Sequence, residues 1–246
     1  MPPKPAPTPP PKSKPQPSPV KNAYLLAYNA VSAALWAGVL YKTLSIGGAE
    51  VLRAGESNAL GLGGSNGLEQ VKKGLGSGVV YGSLEEYTRL VQSLAGLEVL
   101  HSLFGVVRAP LLTTLMQVAS RYLLVWGIAY NFPSTTQYSP AYTGMLTAWS
   151  ITEVVRYTYF VFGLAGVGVP RVWTWLRYNT FLPLYPLGVA SECWLVYSAI
   201  PAASKIDEKL GFALWGVLAT YVPGFYVLFT HMLKQRRRVQ RAGWTV

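Results

Sequence analysis

The apolar residues of this chain are gathered in blocks that are long enough to cross a bilayer. A transmembrane helix needs about 20 mostly apolar residues, and six stretches of the 246-residue chain meet that requirement: Ala23–Leu44, Glu86–Val107, Leu111–Tyr130, Tyr142–Val167, Tyr178–Ile200 and Phe212–Leu233. Charged residues make up only 13% of the chain, against about 25% in an ordinary soluble domain. A soluble helical bundle would need polar faces, which a run such as Tyr159–Val169 lacks. The pattern therefore predicts an all-α, polytopic integral membrane protein with six transmembrane helices in a bundle.

The basic residues predict how these helices are oriented. Of the 21 lysines and arginines, many lie near the two ends of the chain or in the connection that contains Arg171 and Arg177, and six spans would place all three regions on one side. The connection Asn131–Ala141 on the other side carries no charge. Under the positive-inside rule, both termini then face the cytosol. Four lysines disagree with this orientation: Lys72, Lys73, Lys205 and Lys209. The net charge of +11 is thus explained by membrane orientation, with lipids as partners and no nucleic acid.

Composition also divides the chain into three parts. Residues 1–21 hold ten prolines and four lysines, so they are expected to form a disordered cytosolic tail. Residues 22–233 are expected to form the membrane domain, and 234–246 a basic cytosolic tail. Within the membrane domain, residues 45–82 hold 11 of the 24 glycines and predict a long loop. This loop contains no phosphate-binding glycine motif, so a nucleotide site there is not expected.

Ionisable residues inside the predicted spans are the strongest indication of a functional site. A charge at the centre of a span costs roughly 2.5–3.5 kcal/mol and usually faces the interior of a bundle. Two interpretations remain open. The charges could form structural pairs, Glu153 with Arg156 and Glu98 with a protonated His101, or they could line one polar chamber. The second interpretation unites charges from four different spans: Glu98, Arg121, Arg156 and Glu192.

Metal and disulfide chemistry is not expected. The single cysteine, Cys193, excludes a disulfide within the chain and a cysteine-built metal site. His101 has no second histidine near it in the sequence, because His231 lies at the end of the last span. It is therefore interpreted as a packing or hydrogen-bonding residue.

The fifth span carries a spacing that is compatible with acid–base chemistry. Tyr185 and Glu192 lie seven residues apart, so they share one helix face and are about 10 Å apart along the axis. Pro183 and Pro186 disturb the helix beside them, and Gly188 lets another backbone or a ligand come close. A phenol and a carboxylate on one face can act as an acid–base pair. Tyrosines also anchor helices at membrane interfaces, and the spacing alone does not separate the two roles.

The stretch from Arg177 to Glu192, which ends Tyr-Pro-Leu-Gly-Val-Ala-Ser-Glu, resembles the signature of the very-long-chain (3R)-3-hydroxyacyl-CoA dehydratases, a family also called protein tyrosine phosphatase-like. Three further segments fit the same family: Leu97–Ser102, Gln117–Arg121 and Trp149–Tyr157. The resemblance implies that Tyr185 and Glu192 are the catalytic residues. It also implies a supporting or substrate-binding role for Glu98, Gln117, Arg121, Arg156, Arg177 and Gly188.

The function implied by this resemblance is removal of water from a very-long-chain (3R)-3-hydroxyacyl-CoA to give the trans-2-enoyl-CoA, the third step of fatty acid elongation, without cofactor or metal. It implies an endoplasmic reticulum membrane protein whose partners are the elongase, the 3-ketoacyl-CoA reductase and the enoyl-CoA reductase. Phosphatase chemistry is excluded, because Ala199 stands where a Cys-x5-Arg loop starting at Cys193 would need arginine. Two alternatives are a non-catalytic scaffold of the elongation complex and a small transporter, which would be expected to show internal repeats.

Overall fold

The computed structural model describes residues 18–59 and 66–244, with side chains for 18–56 and 66–244. Every regular element in those ranges is helical, as predicted. The elements are α1 (Pro19–Ala59), α2 (Gly67–Leu75), α3 (Val79–Ser93), α4 (Gly96–Leu103), α5 (Leu111–Tyr122, continued by a π-helical stretch Leu123–Ala129), α6 (Pro133–Thr136), α7 (Pro140–Leu164), α8 (Arg171–Asn179), α9 (Phe181–Ile206) and α10 (Glu208–Arg241).

Three stretches in the described part of the chain are long and apolar enough to cross a membrane: Pro19–Glu56, Leu111–Ala129 and Glu208–Arg241. Helices α7 and α9 have 25 and 26 residues, which at 1.5 Å per residue also exceeds a hydrocarbon core of about 30 Å. Both carry embedded charges that lower their hydropathy. The second predicted span is not one continuous helix, because the chain turns between α3 and α4 at Leu94 and Ala95.

Helix α7 lies at the centre of the bundle, between α1 on one side and α9 on the other. The core around it contains large apolar side chains that are almost fully buried, among them Leu84, Met145, Leu146 and Leu195. Helix α10 packs mainly on α9 and α8 and exposes much of its apolar surface, as Val222 and Tyr226 do at 76% and 71% exposure. An apolar surface of this size is typical of contact with lipid.

The prediction of a long glycine-rich loop over residues 45–82 is wrong for most of that range. Helix α1 continues to Ala59, α2 occupies 67–75 and α3 begins at Val79, while residues 60–65 lie outside the described residues. The glycines allow close helix packing instead. A Cβ atom on Gly74 would lie 2.5 Å from Cα of Val51, so α1 and α2 can touch at this point because glycine has no side chain.

The predicted tails also differ from the described structure at their inner ends. Residues 1–17 lie outside the described residues, and α1 already begins at Pro19. At the other end, α10 continues through the basic segment to Arg241. The last predicted span is therefore the middle of a 34-residue helix.

Candidate functional site

Four charged side chains from three helices form one connected group, which we call the ion-pair network: Glu98, Arg121, Glu153 and Arg156. Arg156 on α7 binds the carboxylate of Glu98 on α4 through two parallel hydrogen bonds of 3.0 and 2.8 Å. The hydroxyl of Tyr157 donates to the same carboxylate at 2.6 Å. Bidentate pairing of this kind fixes the guanidinium and the carboxylate in one plane.

Glu153 joins the two arginines of the network. Its side chain is 3% exposed, and its two oxygens accept from Arg121 on α5 and from Arg156 one helical turn away. Two carboxylates therefore face two guanidinium groups, and the network is neutral as a whole. The predicted pair of Glu153 and Arg156 is confirmed.

The structural-pair alternative is wrong for Glu98 and His101. Glu98 pairs with Arg156, and His101 Nε2 lies 2.7 Å from the hydroxyl of Tyr24 on α1. The ring of Tyr28 packs edge-on against the histidine, with ring centroids 4.9 Å apart. Arg156, on another helix, pairs with Glu98 in place of the nearby His101. Its guanidinium offers two donors that match the geometry of a carboxylate.

Glu192 on α9 has a different environment. Trp149 Nε1 on α7 donates to its Oε1 at 2.8 Å, and the hydroxyl of Tyr221 on α10 donates to its Oε2 at 2.9 Å. Each carboxylate oxygen thus has one neutral donor. The guanidinium of Arg121 lies 4.9 Å from the ring of Trp149, so the tryptophan separates Glu192 from the ion-pair network.

Tyr185 lies on the same helix, about two turns before Glu192. Its ring stacks on Phe225 of α10, with centroids 5.3 Å apart, and continues the stack to Phe229. Its hydroxyl accepts and donates no hydrogen bond within the described part of the chain. We call Tyr185, Glu192, Trp149 and Tyr221 together the Glu192 site.

Gly188 lies between Tyr185 and Glu192 and faces α7. A Cβ atom there would lie 3.5 Å from Cβ of Ala148 and 3.9 Å from Oε1 of Glu192, which is ordinary contact. Pro186 lies inside α9 and has no backbone N–H, so it removes one helical hydrogen bond beside Tyr185.

Arg177 on α8 belongs to neither group, but it borders the ion-pair network at a cavity of about 180 Å³ that it shares with Arg156. The guanidinium lies over the rings of Tyr159 and Phe160, 4.4 and 4.9 Å from their centroids. No carboxylate of the described residues forms an ion pair with it. The other residues lining the cavity are Thr152, Val155, Tyr178, Thr180, Phe181, Met232 and Gln235.

The structure thus brings most of the predicted site residues together, with one exception. Glu98, Arg121 and Arg156 share the ion-pair network, Gly188 adjoins Glu192, and Arg177 shares a cavity with Arg156. Gln117 is exposed on α5 and contacts neither group in the described structure. No set of three or more His, Cys, Asp or Glu side chains within residues 18–59 and 66–244 has the arrangement of a metal site.

Sequence reasoning missed Tyr221 and the role of Trp149. Tyr221 is separated from Glu192 by 29 residues and lies in an apolar span where tyrosines are common, so no pattern distinguished it. Gln92 on α3 was also missed, although its Oε1 lies 3.5 Å from Arg121 and the residue is 1% exposed. The available signal was an amide side chain inside the predicted span Glu86–Val107.

The architecture and the site together define an all-helical, membrane-type protein with an interior carboxylate held by neutral donors. The model of the protein tyrosine phosphatase-like family (PTPLA) matches residues 92–242, a range that contains both the ion-pair network and the Glu192 site. The chain belongs to this family.

Relatives support the same membership over nearly the whole chain. The chain is 41% identical to the "Probable very-long-chain (3R)-3-hydroxyacyl-CoA dehydratase" of Schizosaccharomyces pombe, over 90% of this chain and 95% of that protein. It is 36% identical to the Arabidopsis thaliana protein named very-long-chain (3R)-3-hydroxyacyl-CoA dehydratase PASTICCINO 2, over 89% and 93% of the two chains. Identity to the Caenorhabditis elegans protein hpo-8, which carries the same dehydratase name, is 33% over 90% and 96%. No solved structure matches the chain.

Proposed function

We propose that this protein removes water from very-long-chain (3R)-3-hydroxyacyl-CoA and releases the trans-2-enoyl-CoA, the third step of the fatty acid elongation cycle. The observation that carries the proposal is the Glu192 site, in which a carboxylate and a phenol share one face of α9. The dehydratase names of relatives that cover nearly the full chain support the same reaction.

The reaction needs a base at C2, next to the thioester, and an acid at the C3 hydroxyl. Glu192 takes the C2 proton, and the electron pair of that C–H bond forms the C2–C3 double bond. The C3–O bond breaks, and the departing hydroxyl leaves as water with the proton of Tyr185. Transfer of the proton from Glu192 back to the Tyr185 phenolate restores both groups, so the step balances without a cofactor.

The hydrogen-bonding state of the two residues supports this assignment of roles. Glu192 accepts a hydrogen bond from an uncharged donor at each oxygen, which holds the carboxylate in place without pairing it to a cation. The Tyr185 hydroxyl has no acceptor among the described residues, so its proton is available to a substrate.

Arg177 supports a site for the CoA head group at the mouth of the bundle. It lies at the cavity between α7, α8, α9 and α10, and the described residues leave it without an anionic partner. A guanidinium in this situation is suited to bidentate contact with phosphate. We place the CoA phosphates near Arg177, with Arg108 and Arg171 on the same predicted side, and the acyl chain among the apolar helices.

We further propose six membrane spans, with α7 and α9 as the two interior ones and α3 and α4 together forming the broken second span. Both termini then face the cytosol, and residues 22–233 form the catalytic domain in the endoplasmic reticulum membrane. The partners in this arrangement are the elongase, the 3-ketoacyl-CoA reductase and the enoyl-CoA reductase of the same cycle.

The test is turnover of a long-chain (3R)-3-hydroxyacyl-CoA by detergent-purified protein, with the enoyl product followed directly. Wild type is measured beside Tyr185→Phe and Glu192→Ala, and a thermal melt in detergent shows that each variant folds. We expect product from wild type and none above background from the two variants. A folded wild type without product contradicts the proposal and favours the non-catalytic scaffold.

A further inference from the structure

Helix α10 contributes one polar side chain, Tyr221, to the Glu192 site. Tyr221 is partly buried between α9 and α10, whereas its neighbours Val222 and Tyr226 point outward. Its hydroxyl donates to Oε2 of Glu192 at 2.9 Å. A second hydrogen bond, from Arg236 to Asn179 at 2.9 Å, fixes the far end of α10, so docking of this helix does not depend on Tyr221 alone.

The two donors to Glu192 come from opposite sides. Trp149 approaches Oε1 from α7, and Tyr221 approaches Oε2 from α10. A carboxylate with one donor at each oxygen cannot rotate about its terminal bond without breaking a hydrogen bond. Each oxygen keeps a second lone pair, which remains free to accept a proton.

We infer that Tyr221 is a positioning residue for the dehydration, which holds the Glu192 carboxylate in the plane from which it removes the C2 proton. This inference rests on the proposed function, because it assigns Glu192 the role of base. It makes α10 a part of the active site, in addition to its place as the last span. Positioning acts on the rate of the chemical step, because a small displacement of a catalytic group lowers the rate strongly.

The test compares Tyr221→Phe with wild type in the same turnover assay. The substitution keeps the aromatic ring and removes the hydroxyl. Because a hydrogen bond to a charged group contributes about 1.5–3 kcal/mol, we expect kcat to fall about tenfold or more, with KM unchanged. Trp149→Phe should change kcat in the same direction, since it removes the other donor.

Two control variants separate positioning from packing. Tyr226→Phe removes a hydroxyl from the same helix on its exposed face and should leave kcat unchanged. Arg236→Gln weakens the docking of α10 without touching Glu192, and kcat should again be unchanged. In a Glu192→Asp background, where the shortened carboxylate no longer reaches Tyr221, addition of Tyr221→Phe should cost nothing further.

The outcomes separate this inference from the proposed function. Wild type without product overturns the proposed function, and the role of Tyr221 falls with it. Active wild type with an equally active Tyr221→Phe overturns the positioning role and leaves the proposed function standing. A loss of kcat that Arg236→Gln reproduces also overturns it, because the effect would then come from helix docking.

Discussion

The ion-pair network and the Glu192 site both include side chains of α7, and they hold their carboxylates in different ways. In the network, Glu98 and Glu153 face two guanidinium groups at hydrogen-bond distance. In the Glu192 site, the carboxylate is held by an indole and a phenol, neither of which carries a charge. A carboxylate that is ion-paired to arginine is a poor base, because protonation would break the pair. The comparison shows why the network suits a structural role and the Glu192 site suits proton transfer.

The same amide substitution in the two regions should give opposite results, and this is the largest expected effect. Glu192→Gln should lower turnover by about 10²–10⁴-fold, the usual contribution of a general base, with little change in Tm. Glu153→Gln leaves two guanidinium groups facing one carboxylate and should cost about 3 kcal/mol of stability, the lower end of the range for breaking a buried pair, because the arginines are about a quarter exposed.

Turnover and thermal melts of both purified variants check this contrast. A Glu192→Gln protein that unfolds, beside a stable Glu153→Gln protein that has lost activity, would reverse the roles of the two regions.

Arg177 extends the comparison of the two regions, because it is an arginine that belongs to neither of them. Its partner is expected to be the substrate, so Arg177→Gln should raise KM about tenfold through loss of a charge-assisted contact, with a smaller change in kcat. Arg53→Gln is the matched control: Arg53 is exposed on α1 and pairs with Glu50. Initial-rate kinetics decide the question, and a fall in kcat at constant KM would place Arg177 in the chemical step instead.

Gly188 tests how tightly the Glu192 site is packed. Because a Cβ there makes only ordinary contacts with Ala148 and Glu192, Gly188→Ala should be close to neutral in stability. Gly188→Val adds atoms beyond Cβ and should cost about 1–3 kcal/mol by overpacking. Gly216→Val on the open face of α10, where a Cβ meets nothing within 4 Å, controls for helix propensity. If Gly188→Ala abolished turnover without loss of stability, the glycine would instead contact the substrate.

Gln117 gives the smallest expected effect. The family resemblance implies a supporting role for this residue, yet its side chain is exposed and contacts neither region. Gln117→Ala should therefore change stability by less than about 0.5 kcal/mol, as for ordinary surface positions, and leave turnover unchanged. The same assay and melt measure it. A clear loss of activity would mean that bound substrate reaches α5.

Sequence reasoning succeeded where a short spacing decides the geometry. The pair of Glu153 and Arg156 follows from the i, i+3 rule, and the shared face of Tyr185 and Glu192 follows from helical periodicity. The partners of Glu98 and Glu192 come from segments 58 and 29 residues away, and no local pattern predicts which helices meet. For the same reason the local pair of Glu98 with His101, one of the two interpretations left open, does not form.

The prediction of a loop for the glycine-rich segment was wrong for a related reason. Glycine lowers helix propensity, and its abundance over residues 45–82 indicated a loop. The contact of Gly74 with the backbone of Val51 shows that tertiary packing reversed this preference. Composition shows that glycine has no side chain, but it does not show whether another helix packs against the glycine.

The 41-residue α1 has a consequence for the outer shape of the molecule. At 1.5 Å per residue the helix is about 60 Å long, roughly twice the thickness of a hydrocarbon core. A straight crossing would therefore leave about half of its length beyond the bilayer core, with α2 packed along part of it. A protein that docks on the bundle from the side where α1 projects would contact α1 and α2 first. These two helices would then limit how near that protein comes to the membrane-embedded helices.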